Sequence, residues 1–270
     1  MAGLLLLKVI VFCIIAPNLS SKQFLPLIKW LHKAASSLYH LDTQPKHDGR
    51  PMNSLLNSWH PRLVALASAA SGLDGAHDTN HLHRVWRNAT LLLDDYPEAD
   101  ALVVLAGCYL HDLVNLPKND PERHLASRKA ALLASRQLAA LDFPPNKLAA
   151  VAHAIESHSF SAGIRPETTE AKIVQDADRL DALGAVGLAR LFYTAGRMGT
   201  ALAHADDPMA LHRDLDEKAY ALDHIDTKLA TLPGKMQTAA GRRLAQNRLN
   251  ELTAFRDRFI AEWAASPAAP

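Results

Sequence analysis

The sequence predicts an all-α protein, a single multi-helix domain. Three observations carry the fold class. Every long segment after Met52 spaces its apolar residues three and four apart, and no β-branched run of five or more alternates with polar residues. Proline, glycine and Asx residues separate these segments at helix-length intervals. The most apolar segment, ALVVLAGCYLHDLVNL at 101–116, ends in adjacent His111 and Asp112. Such a pair is costly to bury without partners or a metal ion, so the core is expected to contain a polar centre.

In chain order, 53–71 predicts a first helix, ended by Gly72. A second spans 78–94, with Asp78 or Thr79 as its cap. Pro97-Glu98 opens a third that runs to about residue 115, with Leu102, Leu105, Ala106, Tyr109 and Leu113 as its apolar stripe. The loop LPKNDPER, 116–123, contains two prolines. A fourth helix covers 122–141, and Pro144-Pro145 restarts the chain into a fifth at 146–158. Gly163 and Pro166 lead to Thr168, after which AKIVQDADRLDALGAVGLARLF reads as one helix to about residue 193. Further helices are expected at 214–232 and 234–264. This is a multi-helix architecture.

Composition excludes several function classes. A net charge of +1 over 270 residues gives no large basic face, so no nucleic-acid polymer is expected as partner. The two cysteines, Cys13 and Cys108, form no CxxC pair, which leaves a zinc ribbon, a redox motif and a disulfide framework unsupported. Cys108 lies in the apolar helix pattern and reads as core. Residues 1–51 read as an accessory tail and linker, consistent with an upstream extension of the reading frame, and 52–265 as the domain. The apolar run 1–16 is short for a bilayer span, which takes about 20 residues, and Lys8 interrupts it. No stable membrane span is therefore expected. Cytoplasmic placement is the expectation, with a signal or anchor in 1–16 as the minor alternative.

Imidazole nitrogen and carboxylate oxygen together suit hard and borderline divalent ions. The ligands must converge from several elements, because one helix presents one face. Three segments offer them: HDTNHLHRVW on the second helix, His111-Asp112 closing the third, and VQDADRLDAL on a later one. Neighbouring helical residues stand about 100° apart, so His111 and Asp112 reach one ion only near a helix end.

The ordered words HDTNHLHRVW, YLHDLVNLPKNDPER, HAIESHSFS and AKIVQDADRLDALGAVGLAR are similar in order and spacing to the HD-domain metal-dependent phosphohydrolase superfamily, in its bacterial YedJ/YpgQ-like branch. The resemblance covers about 52–263. It implies one divalent ion on His81, His111, Asp112 and Asp178, with manganese the preferred guess and magnesium, nickel, cobalt, iron or zinc as alternatives. His81 is chosen over His77 because the family's ligand histidine stands a few residues before the pair that is Arg84-Val85 here. Among the acids of DADRLDA, Asp178 matches the family ligand. Asp181, one turn on and on the same face, is carried as a catalytic candidate, either orienting the ligands or touching substrate, and Asp176 is expected to point elsewhere. Two-metal branches use additional histidines, for which His153 and His158 could be mistaken.

The implied activity is hydrolysis of a phosphate ester or anhydride of a small substrate, a nucleotide by resemblance, through a metal-activated water. Charge compensation on the phosphoryl oxygens would come from Arg84, Lys118, Arg123 and Arg179, each as readily a solvated charge or a salt-bridge partner, with Lys118 and Arg123 favoured because their loop directly follows His111 and Asp112. Lys172 resembles a family lysine. His158 could protonate the leaving group or hold the substrate, or be a satisfied structural histidine. Two other readings are a di-iron oxygenase, which needs ligands beyond the four, and a non-catalytic metal- or nucleotide-binding regulatory module. The oligomeric state is left open.

Overall fold

The computed structural model describes residues 54–70, 79–116, 120–159 and 162–263, all within one unit, Pro51–Pro270. The tail, His77, Asp78 and Lys118 lie outside the described residues. Ten α-helices are found among those described: α1 Ser54–Ala70, α2 Thr79–Leu93, α3 Ala101–Leu110, α4 Ala126–Ala140, α5 Leu148–His158, α6 Thr169–Asp181, α7 Gly184–Met198, α8 Asp223–Thr227, α9 Leu232–Lys235 and α10 Ala239–Trp263. The only extended pairing among the described residues is an isolated bridge between Ala201 and Tyr220. No described helix is long and apolar enough to cross a membrane.

The bundle is built around α3. Nine of its ten residues are buried, Leu102 to Leu110 without a gap, so it has no solvent face. Its two sides belong to two apolar clusters. Val104 and Cys108 join Val85, Ala89, Leu92, Val174, Ala177 and Leu180 of α2 and α6. Leu102, Val103, Leu105, Ala106, Tyr109 and Leu110 join Trp59 and Leu63 of α1, Ala134 and Leu138 of α4, and Val151 and Ile155 of α5. Cys108 is core, and burial pushes its thiol pKa up. Gly107 faces α6 so closely that a Cβ there would meet Val174 Cγ2 at 2.8 Å. That close approach sets the end of α3 against the middle of α6, where the candidate ligands stand.

Several predicted boundaries are corrected. The third helix starts at Ala101, not at Pro97, because Asp100 caps it by accepting from the Leu102 and Val103 amides. It also ends at Leu110, not near 115, which leaves His111 as the C-cap. The fourth and fifth helices each begin with a 3₁₀ turn, Arg123–Leu125 and Pro145–Lys147. The run from 169 to 193 is two helices, broken at Ala182-Leu183. The break is sharp: a Cβ at Gly187 would lie 2.2 Å from the Ala182 carbonyl oxygen, so only glycine lets the chain double back. The predicted helix 214–232 is an irregular loop as far as Leu222. Arg213 holds that loop through two bonds to Asp223, at 2.6 and 2.8 Å. Only then do α8, a 3₁₀ turn and α9 follow.

Candidate metal centre

His81 lies in the first turn of α2, where the buried positions His81, Leu82, Val85, Asn88, Ala89 and Leu92 form the core face. It is therefore carried inward by the same periodicity that buries the leucines. His111 caps α3, Asp112 is in the turn after it, His158 closes α5, and Asp178 lies in the last turn and a half of α6. Five side chains from four elements converge.

The distances define one cluster. His81 Nε2 is 3.5 Å from Asp178 Oδ1 and 3.9 Å from Asp112 Oδ2. His111 Nε2 is 3.5 Å from Asp112 Oδ2 and 3.8 Å from Asp178 Oδ1. His158 Nε2 is 3.7 Å from Asp112 Oδ1. The His111 ring lies edge-on to those of His81 and His158, with centroids 5.5 and 4.7 Å apart. The imidazoles form a buried floor, 1%, 1% and 9% exposed, while Asp112 and Asp178 stand at a rim, 25% and 29% exposed.

Each histidine has its far nitrogen committed. Nδ1 of His81 donates to Asp181 Oδ2 at 2.8 Å, Nδ1 of His111 to the Cys108 carbonyl at 2.9 Å, and Nδ1 of His158 to the Ile155 carbonyl at 2.6 Å. Carbonyl and carboxylate oxygens only accept, so these bonds fix the tautomer. In the neutral rings all three Nε2 lone pairs then face the carboxylates. This is the arrangement that prepares imidazole for a metal. His111 Nε2 is buried and has no hydrogen-bond partner, a costly state for a polar atom and one that a cation relieves. The residues present therefore fit a divalent ion. Two ligand triads can be drawn, His81–His111–Asp178 and His111–Asp112–His158. Both need His111, whose Nδ1 is already bonded, and a single Nε2 lone pair serves one ion.

The electrostatics follow the same geometry. Burial lowers the pKa of His111, but Asp112 and Asp178 outweigh it and the net direction is up. For His158 burial and the neighbouring His111 win, and its pKa is lowered. Asp181 is 3% exposed; burial would raise its pKa, yet bonds from His81 and Arg84 and the charge of Arg190 hold it down at about 2.

The remaining predicted residues are distributed as follows. Asp181 does not join the rim; it stands behind His81 and receives Arg84 Nε at 2.8 Å, Arg84 Nη2 at 3.1 Å and Arg190 Nη1 at 2.5 Å. Arg123 donates to the Leu116 carbonyl and closes its own loop. Arg179 donates to the Lys235 carbonyl at 2.5 Å, tying α6 to α9. Lys172 is half-buried, six residues before Asp178 and so about 120° away around the helix. Asp176 points elsewhere, as expected: it accepts from the Gln237 and Thr238 amides and from Thr238 Oγ1 at the start of α10. His153 accepts from the Glu167 amide at 2.9 Å and is not part of the cluster. Arg190 was missed by sequence reasoning. Its signal was hidden because it depends on the α6–α7 break, which periodicity did not show.

Fold and site together define a helical protein whose buried imidazoles and rim carboxylates could hold a divalent ion. The HD-domain family model matches residues 79–183. The chain is 33% identical over 183 residues to the uncharacterized protein YpgQ of Bacillus subtilis (strain 168), across 66% of this chain and 80% of that protein. It also resembles the crystal structure of Bacillus subtilis YpgQ in complex with ADP, at 27% identity and a TM-score of 0.61, over 79% of this chain and all of that one. A Lactobacillus plantarum structure matches at 29% identity and 0.60, over 80% of this chain and all of the other. An HD-superfamily hydrolase from Bacillus thuringiensis matches at 26% and 0.59, over 78% and 99% of the two chains. The chain belongs to the HD superfamily of hydrolases, in the branch that contains YpgQ.

Proposed function

We propose that this protein is a metal-dependent phosphohydrolase that cleaves a phosphate ester or anhydride bond of a small substrate, a nucleotide. The observation that carries the reading is the convergence of three oriented imidazoles and two carboxylates around the partnerless Nε2 of His111. His81, His111, Asp112 and Asp178 would hold one divalent ion, manganese by preference. The shared His111 lone pair favours one ion over the pair that a di-iron oxygenase needs. Bound there, the ion would lower the pKa of a water molecule and draw charge from the phosphoryl oxygens.

The chain's own residues supply the rest. The carboxylates at the rim leave the open side of the site to the substrate, and the imidazoles close the inner side to water. His158 presents a lone pair, not a proton, towards Asp112, because its Nδ1 proton is committed to Ile155 and its pKa is lowered. Its role is therefore to accept, as a further ligand or as a base, instead of protonating a leaving group. Arg84, which donates to Asp181 through Nε and Nη2, is the favoured candidate for a substrate phosphate contact. Lys118, Arg123, Arg179 and Lys172 are the further candidates for substrate phosphate, and of these Arg123 and Arg179 are each bonded to a backbone carbonyl. The nucleotide class rests on the relative whose crystal structure contains ADP.

The test is a panel of nucleotides and simple phosphate esters with Mn, Mg, Ni, Co, Fe and Zn, read out as released phosphate or pyrophosphate. Asp112→Ala should lose bound metal and activity while its helical circular dichroism is kept. Unchanged activity in that variant would refute the site assignment.

A further inference from the structure

A buried amide stands one turn from a carboxylate of the metal centre. Gln175, on α6, is 2% exposed and precedes Asp178 by three residues, so the two share a face of the helix. Its Nε2 donates to the Ser157 carbonyl at 2.6 Å. A carbonyl oxygen only accepts, so this contact fixes which end of the amide is nitrogen. The other end, Oε1, is buried without a hydrogen-bond partner. That is a costly state for a polar atom. Methionine, of similar length, would fill the space without it. Packing therefore does not account for a glutamine here; what glutamine adds is the donor.

The carbonyl it holds belongs to the end of α5. The last four carbonyls of a helix have no partner within it, and α5 stops at His158, where Ser159 turns extended at φ −72° and ψ 129°. Side chains take two of those carbonyls, Ile155 by Nδ1 of His158 and Ser157 by Gln175. The two bonds do different things. The bond from His158 runs three residues back along its own helix, so it orients the ring against α5 alone. The bond from Gln175 crosses between helices and sets the end of α5 against α6. It grips the peptide that joins Ser157 to His158, and the His158 ring presents Nε2 to Asp112 Oδ1 at 3.7 Å. The same helices are close-packed one turn away. A Cβ at Gly107 of α3 would lie 2.8 Å from Val174 Cγ2 on α6 and 3.5 Å from Ala154 Cβ on α5.

We propose that Gln175 is a positioning residue for His158: by tying the Ser157 carbonyl to α6, it holds the imidazole in place against Asp112 at the metal centre. The consequence for catalysis rests on the phosphohydrolase reading above; the consequence for the ring does not. Misplacing a reacting group by about 1 Å can cost about a hundredfold in rate. Loss of the tie should therefore act on kcat and leave KM unchanged.

The test uses the full chain, first metal-free with ¹⁵N-labelled histidine and read by NMR at one pH. The His158 ring signals are assigned by their absence from His158→Gln. They report the ring's seat, because the His111 ring lies edge-on with its centroid 4.7 Å away. In Gln175→Met they should shift and broaden, while those of His60 on α1 stay in place. Hydrolysis is then measured at saturating Mn²⁺, on the nucleotide the parent cleaves fastest, for the parent, Gln175→Met, His158→Gln and the double variant. Gln175→Met should lose about ten- to a hundredfold in kcat at an unchanged KM. The double variant should be no slower than His158→Gln, because a residue that acts through another adds nothing once that one is gone. A merely structural glutamine would slow the double variant by the product of the two single losses. That product, or unmoved His158 signals in Gln175→Met, would overturn the proposal. Gln175→Asn, which keeps the amide but withdraws it by one methylene, is read in the same way if Gln175→Met fails to fold. A parent that hydrolyses no nucleotide or phosphate ester removes the hydrolase reading, and the ring signals alone then decide whether Gln175 places His158.

Discussion

At the residue scale, Asp181 links the metal cluster to the charge behind it. Four donated bonds reach its carboxylate from His81, Arg84 and Arg190. Its folded pKa, about 2, lies below the ordinary carboxylate value of about 3.9. A depressed carboxylate stabilises the fold above its unfolded pKa and loses that contribution as pH falls through the folded value. The window is therefore about pH 4 to 2, and the contribution is on the order of 2 kcal/mol. The urea midpoint of the parent should fall more steeply across that window than that of Asp181→Asn. The same variant leaves two arginines without their counter-charge and weakens the orientation of His81. Its manganese affinity should drop about 10- to 100-fold, measured by competition with a chelating dye.

At the element scale, the turn between α6 and α7 matters most. It ends the helix that carries Asp178 and Asp181 and starts the one that returns Arg190 to Asp181. Gly187→Ala places a Cβ against the Ala182 carbonyl oxygen at 2.2 Å, which backbone cannot absorb without opening the turn. A loss of roughly 2 kcal/mol or more is expected, read as a lower urea midpoint. The sequence contained the evidence for two helices in LDALGAVG, but helical periodicity runs through the turn without a change of phase. The apolar spacing that reveals a helix is silent about a reversal made by one glycine. The early end of α3 was hidden for a related reason. Leu113 fits the stripe, yet the chain leaves the helix after His111, which frees Asp112 to face the cluster.

At the scale of the whole molecule, the ion and the fold are linked. A ligand that binds only the folded state stabilises it by mass action, about 2.7 kcal/mol at a hundred times its dissociation constant. Manganese should raise the melting temperature, chelation should lower it, and Asp112→Ala should remove the dependence. His111 holds a proton more tightly than an ordinary histidine, because Asp112 and Asp178 outweigh its burial. Protons then compete with the ion, so the stabilisation by manganese should fade as pH falls. A chain beginning at Met52 is expected to fold and to show the same manganese shift; failure to fold would make the tail part of the domain.

The sequence by itself determined the helical class, the family, and four of the five side chains that meet at the centre, His81, His111, Asp112 and Asp178. Periodicity needs only local spacing, and the His, His-Asp and Asp words are short and ordered along the chain. It also marked Asp176 as pointing away. Tertiary structure alone decided that His158 stands in the same cluster, that Asp181 lies behind His81 and not at the rim, and that Arg190 returns to it. Those facts depend on how α5, α6 and α7 are set around α3. That packing is fixed by contacts between residues far apart in the chain, and no local pattern records them.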